Sequence, residues 1–278
     1  MIIDNSASFL KKIHKHFSGF PTMTQYTQTV TQIGKWDLGY FDRKVFPGYY
    51  TTQSNGTTGI ALKRDGVTWM SCTPMEVESH LLAQHGAKGK VVVAGLGLGL
   101  ITMSLLKKHQ VKELIVLEID EDLIQGYSQL LSEKERALFD ENISTGRLKI
   151  FQADCTKQLD GATLSACRGA NYMWVDTWEH LGSEKGLEHT LNLQKQIKAK
   201  TVDYWGLELD LVIGCARMDN KAKEGKRKSN FMKVVDEYPV PISAQSFDKK
   251  TKAIYFELCL LAGKNSVDLI RSKQALHA

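Results

Sequence analysis

Residues 91–100, with the sequence VVVAGLGLGL, decide the fold of this chain. The run of valines predicts a strand that is buried on both faces, as in a parallel sheet. Gly95, Gly97 and Gly99 then permit a sharp turn and a close approach of the backbone to a ligand. Apolar residues at helical spacing follow over 98–108, so a helix begins directly behind the turn. The free N–H groups at its start favour an anionic or carboxylate-bearing ligand.

Acidic residues end the next apolar run. Residues 114–119 (LIVLEI) predict a second strand that finishes with Glu118 and Asp120. An acidic residue about 20 positions beyond a glycine turn is placed to accept hydrogen bonds from ribose hydroxyls. We assign that role to Glu118, and we assign Asp120 to the N-cap of a helix that begins near residue 121. The alternative is that both residues only cap this helix.

Carboxylates also end two later predicted strands. The strand 148–152 is followed by Asp154 and Cys155, and the strand 171–175 is followed by Asp176. In open α/β sheets, ligands bind at the carboxyl edge of the strands. Three strand-end carboxylates in register therefore indicate a binding site, although each one alone could equally serve solubility.

Composition describes an ordinary globular protein. Of 278 residues, 42% are hydrophobic and 24% charged, which suits one large domain or a core domain with a smaller one. The net charge of +5 does not by itself indicate nucleic-acid binding. The longest apolar run is too short to span a bilayer, and the N-terminus lacks the apolar region of a signal peptide. The five scattered cysteines have no zinc-binding spacing, which favours free thiols in a reducing cytoplasm.

These features set the expected partners. We expect a cytoplasmic protein with a small-molecule substrate, no metal, no membrane partner and no nucleic-acid partner, and we leave a homodimer open. The basic run 219–228 is predicted to be a solvated loop, because no aromatic residues alternate with its lysines.

Residues 1–72 are predicted to form a helix and a small β unit. The helix covers residues 1 to about 20. Two alternating runs, 60–63 and 67–70, flank the Asp65–Gly66 dipeptide, which predicts a β-hairpin.

A helix start is predicted directly after this unit. Thr73 has the properties of an N-cap, Pro74 suits the first helical position, and Glu76 would complete a capping box. Gly86 is predicted to end this helix.

Residues 73–278 are predicted to form a Rossmann-like, doubly wound α/β domain. Its predicted helices lie at 98–108, 121–131 and 184–199, and its predicted strands lie at 90–94, 114–118, 148–152, 171–175, 201–205, 240–247 and 253–262. The segment 206–217 fits either a helix or a strand. The last two strands would give a seven-stranded sheet with an antiparallel C-terminal edge.

The order of these parts resembles the class I S-adenosylmethionine-dependent methyltransferases, and more narrowly the spermidine synthase branch, over nearly the whole chain. The matching motifs are LKRDG at 62–66, the glycine loop at 94–100, LEID at 117–120, Asp154, the strand at 172–176 and the last strand at 254–261. The resemblance implies S-adenosylmethionine as the cofactor, with Glu118 on its ribose, Asp154 on its adenine amine and Asp176 as the catalytic aspartate. The implied cofactor site comprises Gly95, Gly97, Gly99, Glu118, Asp154, Cys155 and Asp176.

The sequence departs from the family at positions that handle the aminopropyl donor and the polyamine. Leu98 stands where the family has an aspartate in the glycine loop, and Trp69 lies near the place of a glutamine. Residues 78–80, Glu-Ser-His, replace a Tyr-His-Glu or Tyr-Gln-Glu triplet. Glu179, beside Trp178, replaces a second aspartate. The cofactor half of the site is thus kept, and the acceptor half is rewritten.

The acceptor side is expected to involve residues near these departures. Its predicted pocket residues are Trp69, Glu78, His80, Trp178 and Glu208. An aromatic face can hold a cation, and Glu208 would add negative charge. The alternatives are ordinary core tryptophans and, for His80, a hydrogen-bonded core histidine.

We therefore predict methyl transfer to a small-molecule acceptor, for which an amine is one candidate. Asp176 would orient or deprotonate this acceptor, and Glu179 would assist it. The alternatives are transfer of an aminopropyl or aminocarboxypropyl group, rearrangement of the cofactor, an NAD-dependent dehydrogenase and a non-catalytic binding module. Leu100 argues against the dehydrogenase, because the dinucleotide pattern needs glycine at that position.

Overall fold

A computed structural model describes residues 7–42, 44–51, 53–55, 58–218 and 224–276. The strands are β1 (Gln32–Ile33), β2 (Trp36–Asp42), β3 (Val45–Pro47), β4 (Gln53–Asn55), β5 (Thr58–Arg64), β6 (Val67–Cys72), β7 (Gly89–Ala94), β8 (Val111–Glu118), β9 (Leu148–Gln152), β10 (Tyr172–Val175) and β11 (Val202–Tyr204). The helices are α1 (Ala7–His16), α2 (Pro74–Ser79), α3 (Leu81–Gly86), α4 (Leu100–Leu106), α5 (Glu121–Leu130), α6 (Glu133–Ser144), α7 (Gly161–Cys167), α8 (Lys185–Ile197), α9 (Leu207–Met218), α10 (Glu224–Asp236) and α11 (Lys249–Leu276).

A five-stranded parallel sheet in the order β11-β10-β7-β8-β9 forms the centre of the α/β part. The central strand β7 pairs with both β8 and β10, and Val91, Val92 and Val93 are fully buried within it. The predicted parallel strands are confirmed, since β7 to β11 fall on the five predicted segments. Their carboxyl ends meet at one edge of the sheet.

The two late strands predicted at 240–247 and 253–262 are wrong, and with them the seven-stranded sheet and its antiparallel edge. The first segment contains the short 3₁₀ helix Ser243–Ser246, and the second lies inside α11. The resemblance implied a last strand over 254–261, but apart from Phe256 the buried positions repeat with the period of a helix. Those positions are Ile254, Tyr255, Leu258, Cys259 and Ala262.

Two other C-terminal segments are also helical. The ambiguous segment 206–217 forms α9. Of the predicted loop 219–228, residues 219–223 lie outside the described residues. From Glu224 onward the segment belongs to α10, so the prediction of a loop is wrong there. Among the described helices, including the 28 residues of α11, none is both long and apolar enough to cross a bilayer.

The N-terminal β unit is an antiparallel sheet in the order β1-β2-β5-β6, beside the short pair β3-β4. The predicted hairpin is confirmed, because β5 and β6 pair around Asp65 and Gly66. Both turn residues have positive φ, 50° and 77°, as a two-residue turn with the twist of a hairpin requires. The unit contacts the carboxyl edge of the parallel sheet, where Arg64 pairs with Asp120 (3.3 Å).

The left-handed glycine at position 99 gives a stability prediction. Gly99 has φ 66°, and a Cβ there would overlap the hydroxyl group of Tyr127. Gly146 has a similar φ of 71°, but a Cβ there would meet nothing within 4 Å. Gly99→Ala should therefore lower the free energy of unfolding by about 1–3 kcal/mol more than Gly146→Ala, the usual cost of overpacking. Urea denaturation measures both variants, and equal losses would show that the Tyr127 contact is unimportant.

Candidate functional site

A pocket opens at the carboxyl edge of the parallel sheet, against the N-terminal β unit. Its wall includes residues that follow β7, β8, β9 and β10 as well as residues of β5 and β6. Nine of the predicted site residues line it: Trp69, His80, Gly95, Gly97, Glu118, Asp154, Cys155, Asp176 and Trp178. The predicted strand-end residues are thus brought together, as expected from strands that end at a common edge.

The glycine turn is shaped by close packing. A Cβ at Gly95 would overlap the main-chain oxygen of Asp176, and one at Gly97 would overlap the thioether of Met70. That thioether also accepts the N–H of Leu98 at 3.0 Å. Gly99, which was predicted to contact the cofactor, faces Tyr127 instead and is not part of the pocket wall.

Glu118 binds the turn from the end of β8. One carboxylate oxygen accepts the N–H of Leu96 (2.8 Å), and the other accepts the N–H groups of Ile119 and Asp120 (2.9 Å each). Burial raises the pKa of Glu118, while these three hydrogen bonds act in the opposite direction. The prediction that Asp120 caps α5 is confirmed, since its side chain accepts the N–H of Leu123 at 3.0 Å.

Asp154 and Cys155 differ in chemical character. The hydroxyl of Thr156 donates to Asp154 at 2.6 Å, and Lys157 pairs with it at 3.0 Å. These contacts, led by the Thr156 hydroxyl, lower the pKa of Asp154 to about 2, so it is a carboxylate at neutral pH. Burial raises the pKa of Cys155 to about 12, which keeps its thiol protonated. Cys155 is therefore a wall residue rather than a nucleophile.

Aromatic side chains form a large part of the pocket wall. Trp36 and Trp69 pack edge to face with ring centres 5.9 Å apart, and the guanidinium of Arg64 lies 5.5 Å from the Trp36 ring. Trp178 is buried and packs on Tyr204. Among the described residues, neither Trp36 Nε1 nor Trp178 Nε1 has a hydrogen-bond partner. These indole rings therefore give the pocket an aromatic wall.

Glu76, His80 and Asp176 form a cluster in the pocket wall. The His80 Nδ1 lies 2.7 Å from the main-chain oxygen of Glu76, and its Nε2 lies 3.4 Å from Asp176 Oδ2. Burial lowers the pKa of His80, but the nearby Asp176 and Glu76 carboxyls raise it more, so the pKa lies above its ordinary value. When His80 is protonated, it forms an ion pair with Asp176.

The predicted capping box at Glu76 is wrong. Thr73 occupies the N-cap position of α2, but no side-chain cap hydrogen bond forms. The Glu76 carboxyl faces the pocket, where the Ser71 hydroxyl lies 3.5 Å away. The predicted single helix is also interrupted, because α2 ends at Ser79 and α3 begins at Leu81.

Glu76 is thus a site residue that the sequence analysis missed. Its spacing of four from His80, which places two side chains on one face of a helix, was the available signal. Burial raises the pKa of Glu76 to about 7, even though His80 acts against this shift. In the part of the chain that the structure describes, no group of three or more His, Cys, Asp or Glu side chains is arranged to hold a metal ion.

Three other predicted residues lie outside this pocket. Glu78 accepts the N–H groups of Tyr50 (2.7 Å) and Thr51 (3.0 Å), which fixes the loop after β3. Glu208 is buried and accepts the hydroxyls of Tyr49 (3.2 Å) and Tyr50 (2.8 Å). Glu179 pairs with Lys185 at 3.4 Å. Each of these carboxylates is occupied by contacts that hold a loop or a helix end.

Comparison with known proteins gives similarities of fold. No family profile and no curated protein matches the chain. Among solved structures, the methyltransferase domain of bacterial CtHen1 is 19% identical, with 41% of this chain and 55% of that chain covered and a TM-score of 0.30. Spermidine synthase from Thermotoga maritima is 12% identical, with 66% and 64% covered and a TM-score of 0.35. A spermidine synthase in complex with the transition-state analogue AdoDATO is 13% identical, with the same coverage and a TM-score of 0.34.

These neighbours have folds of the class I S-adenosylmethionine-dependent methyltransferase type. The chain spans 55% of the length of the CtHen1 domain and 64% of the length of the spermidine synthase. With TM-scores below 0.5, such likenesses decide nothing about the reaction, which depends on the pocket residues of this chain.

Buried Glu208 gives a prediction about pH and stability. Burial raises its pKa from 4.5 to about 7, so the folded protein favours the protonated acid. The stability that this acid contributes is present below about pH 4.5 and is lost as the pH rises through about 7, which amounts to roughly 3 kcal/mol. Glu208→Gln should flatten the dependence of the unfolding free energy on pH across this window. Urea denaturation at several pH values measures this, and an unchanged slope would show that Glu208 is ionised in the folded protein.

Proposed function

We propose that this chain is an S-adenosylmethionine-dependent transferase that moves a methyl group to a small-molecule acceptor. The observation that carries the proposal is one pocket lined by the glycine turn, Glu118, His80 and Asp176, with His80 Nε2 3.4 Å from Asp176 Oδ2. Such a combination suits a nucleoside with a cationic centre and an acceptor whose lone pair needs a fixed direction.

The charge of the pocket supports a cationic ligand. Its described wall contains four carboxyl groups and two cationic side chains: Glu76, Glu118, Asp154, Asp176, Arg64 and His80. Both cationic side chains are already paired, because Arg64 lies 3.3 Å from Asp120 and His80 lies 3.4 Å from Asp176. Asp154 and Asp176 are in turn paired with Lys157 and His80. Glu76 and Glu118 are therefore the carboxyl groups that would favour a sulfonium or an ammonium group.

The wall residues also fit the adenosine part. Ile119 follows Glu118 at the pocket wall with 58% of its surface exposed, so it offers an apolar face to a base. The indole rings of Trp36, Trp69 and Trp178 line the same pocket and add aromatic surface. Glu118 would accept from the ribose hydroxyls, since a carboxylate has about four acceptor positions and three are in use.

When bound, S-adenosylmethionine supplies an electrophilic carbon whose bond to sulfur breaks with its electron pair passing to the sulfur. Asp176 accepts an N–H or O–H of the acceptor and directs the acceptor lone pair at that carbon. The imidazole of His80 lies beside this carboxylate, with its Nε2 3.4 Å from Asp176 Oδ2. Trp178 limits access of water to this part of the pocket.

Calorimetry tests the cofactor half of the proposal. Both S-adenosylmethionine and S-adenosylhomocysteine should bind, and Glu118→Ala should weaken binding by about 1–3 kcal/mol, since hydrogen bonds to a charged group are lost. Glu113→Ala is the matched control, because Glu113 lies near the other end of β8 and pairs with Lys149. Binding of NAD(H) without affinity for either sulfur nucleoside would exclude the proposed cofactor.

Mass spectrometry tests the reaction and the role of Asp176. Incubation with S-adenosylmethionine and a panel of small amines and alcohols should release S-adenosylhomocysteine. Release of methylthioadenosine would instead indicate transfer of the amino-acid arm. Asp176→Asn should lower kcat about 10²-fold or more, the scale for a lost positioning contact, while cofactor affinity changes little. Near-normal turnover in this variant would limit Asp176 to a structural role.

A further inference from the structure

The interruption between α2 and α3 sets the orientation of His80. The main-chain oxygen of Glu76 accepts the His80 Nδ1–H (2.7 Å) and the hydroxyl of Ser79 (2.9 Å). Ser79 in turn accepts the indole N–H of Trp205 at 2.9 Å. A carbonyl oxygen can only accept, so the proton on Nδ1 is fixed and Nε2 is the nitrogen that faces Asp176.

This arrangement engages one oxygen of Asp176. Its Oδ2 lies 3.4 Å from His80 Nε2, so this oxygen faces the imidazole. A carboxylate in such a pair can accept a hydrogen bond from the acceptor through its other oxygen and orient a lone pair.

Glu76 is the carboxyl group of the cluster that is free to take up the proton that an amine must lose before it attacks. It lines the same pocket, and its described side-chain hydrogen bond is a long one, 3.5 Å from the Ser71 hydroxyl. The titratable groups that act on it are His80, Asp176 and, from β6, Cys72. Burial raises the pKa of Cys72 to about 12, so its thiol stays neutral and contributes no charge.

We propose that Glu76 is the base that takes the proton of the acceptor, while Asp176, held beside His80, orients the acceptor. This inference rests on the proposed transferase function. For an ammonium acceptor, an N–H proton passes to the Glu76 carboxylate and frees the nitrogen lone pair. The lone pair forms the new bond to carbon, the carbon–sulfur electron pair passes to sulfur, and Glu76 releases its proton to solvent. The pKa of Glu76, raised to about 7 by burial, suits a base that works near neutral pH.

Infrared difference spectroscopy of the ligand-free protein tests the proton on Glu76. Two buried acids, Glu76 and Glu208, should contribute carboxylic-acid C=O absorption that fades as the pH rises through about 7. Glu76→Gln should lose the Glu76 component, which is the wild-type minus variant difference, and keep the Glu208 component. Glu113→Gln, which removes a carboxylate from the far end of β8, should keep both components. Identical acid bands in the wild type and Glu76→Gln at every pH would overturn the inference, whatever the cofactor.

Calorimetry in buffers of different ionisation enthalpy tests whether a cation displaces that proton. S-adenosylmethionine carries a sulfonium charge and S-adenosylhomocysteine does not. Near pH 7, binding of S-adenosylmethionine should release up to about half a proton more than binding of S-adenosylhomocysteine. This difference is expected for the wild type, Glu113→Gln and Glu76→Asp. Glu76→Gln should bind both and lose this difference. An undiminished difference in Glu76→Gln would overturn the inference. Failure of both nucleosides to bind any variant would overturn the proposed function, and the infrared result would still decide on Glu76.

Discussion

The carboxylate of Glu118 holds the glycine turn at the end of the central strand. It binds three main-chain N–H groups, one in the turn and two after β8. A buried N–H group without a partner costs about 1–3 kcal/mol, so the ends of β7 and β8 are fixed together. The neighbouring walls are placed against this turn, because Met70 packs on Gly97 and the main-chain oxygen of Asp176 on Gly95. The pocket therefore derives its shape from the backbone as much as from its side chains.

The parts of the fold that could be predicted have strong local signals. The valine run of β7 and the Asp65–Gly66 turn specify their structures from a few adjacent residues. The segment 253–262 lacks such a signal, since its residue types suit a strand while its buried positions follow a helix. The strand predicted there, together with the one predicted at 240–247, made the predicted sheet two strands too large.

The site could be predicted where it depends on strand ends, because parallel strands bring Glu118, Asp154 and Asp176 to one edge. It could not be predicted where the partner of a carboxylate is distant in sequence. Glu208 binds Tyr49 and Tyr50, more than 150 residues away, and no local sequence pattern predicts these hydrogen bonds. The role of Glu76 was not predicted for a different reason. A Glu three residues after an N-cap fits a capping box and a pocket wall equally well.

The long helix α11 links the two ends of the described chain. Near its start, Thr251 contacts His16 of α1 at 3.1 Å. Further along, the amide of Asn265 donates to the main-chain oxygens of Tyr49 (3.1 Å) and Thr51 (2.9 Å), in the loop that Glu78 and Glu208 also hold. The β unit over the pocket is thus fastened by residues from the opposite end of the sequence. Unfolding of the β unit would also remove these contacts of α11. Heating should therefore melt the β unit and the parallel sheet in one cooperative transition rather than two.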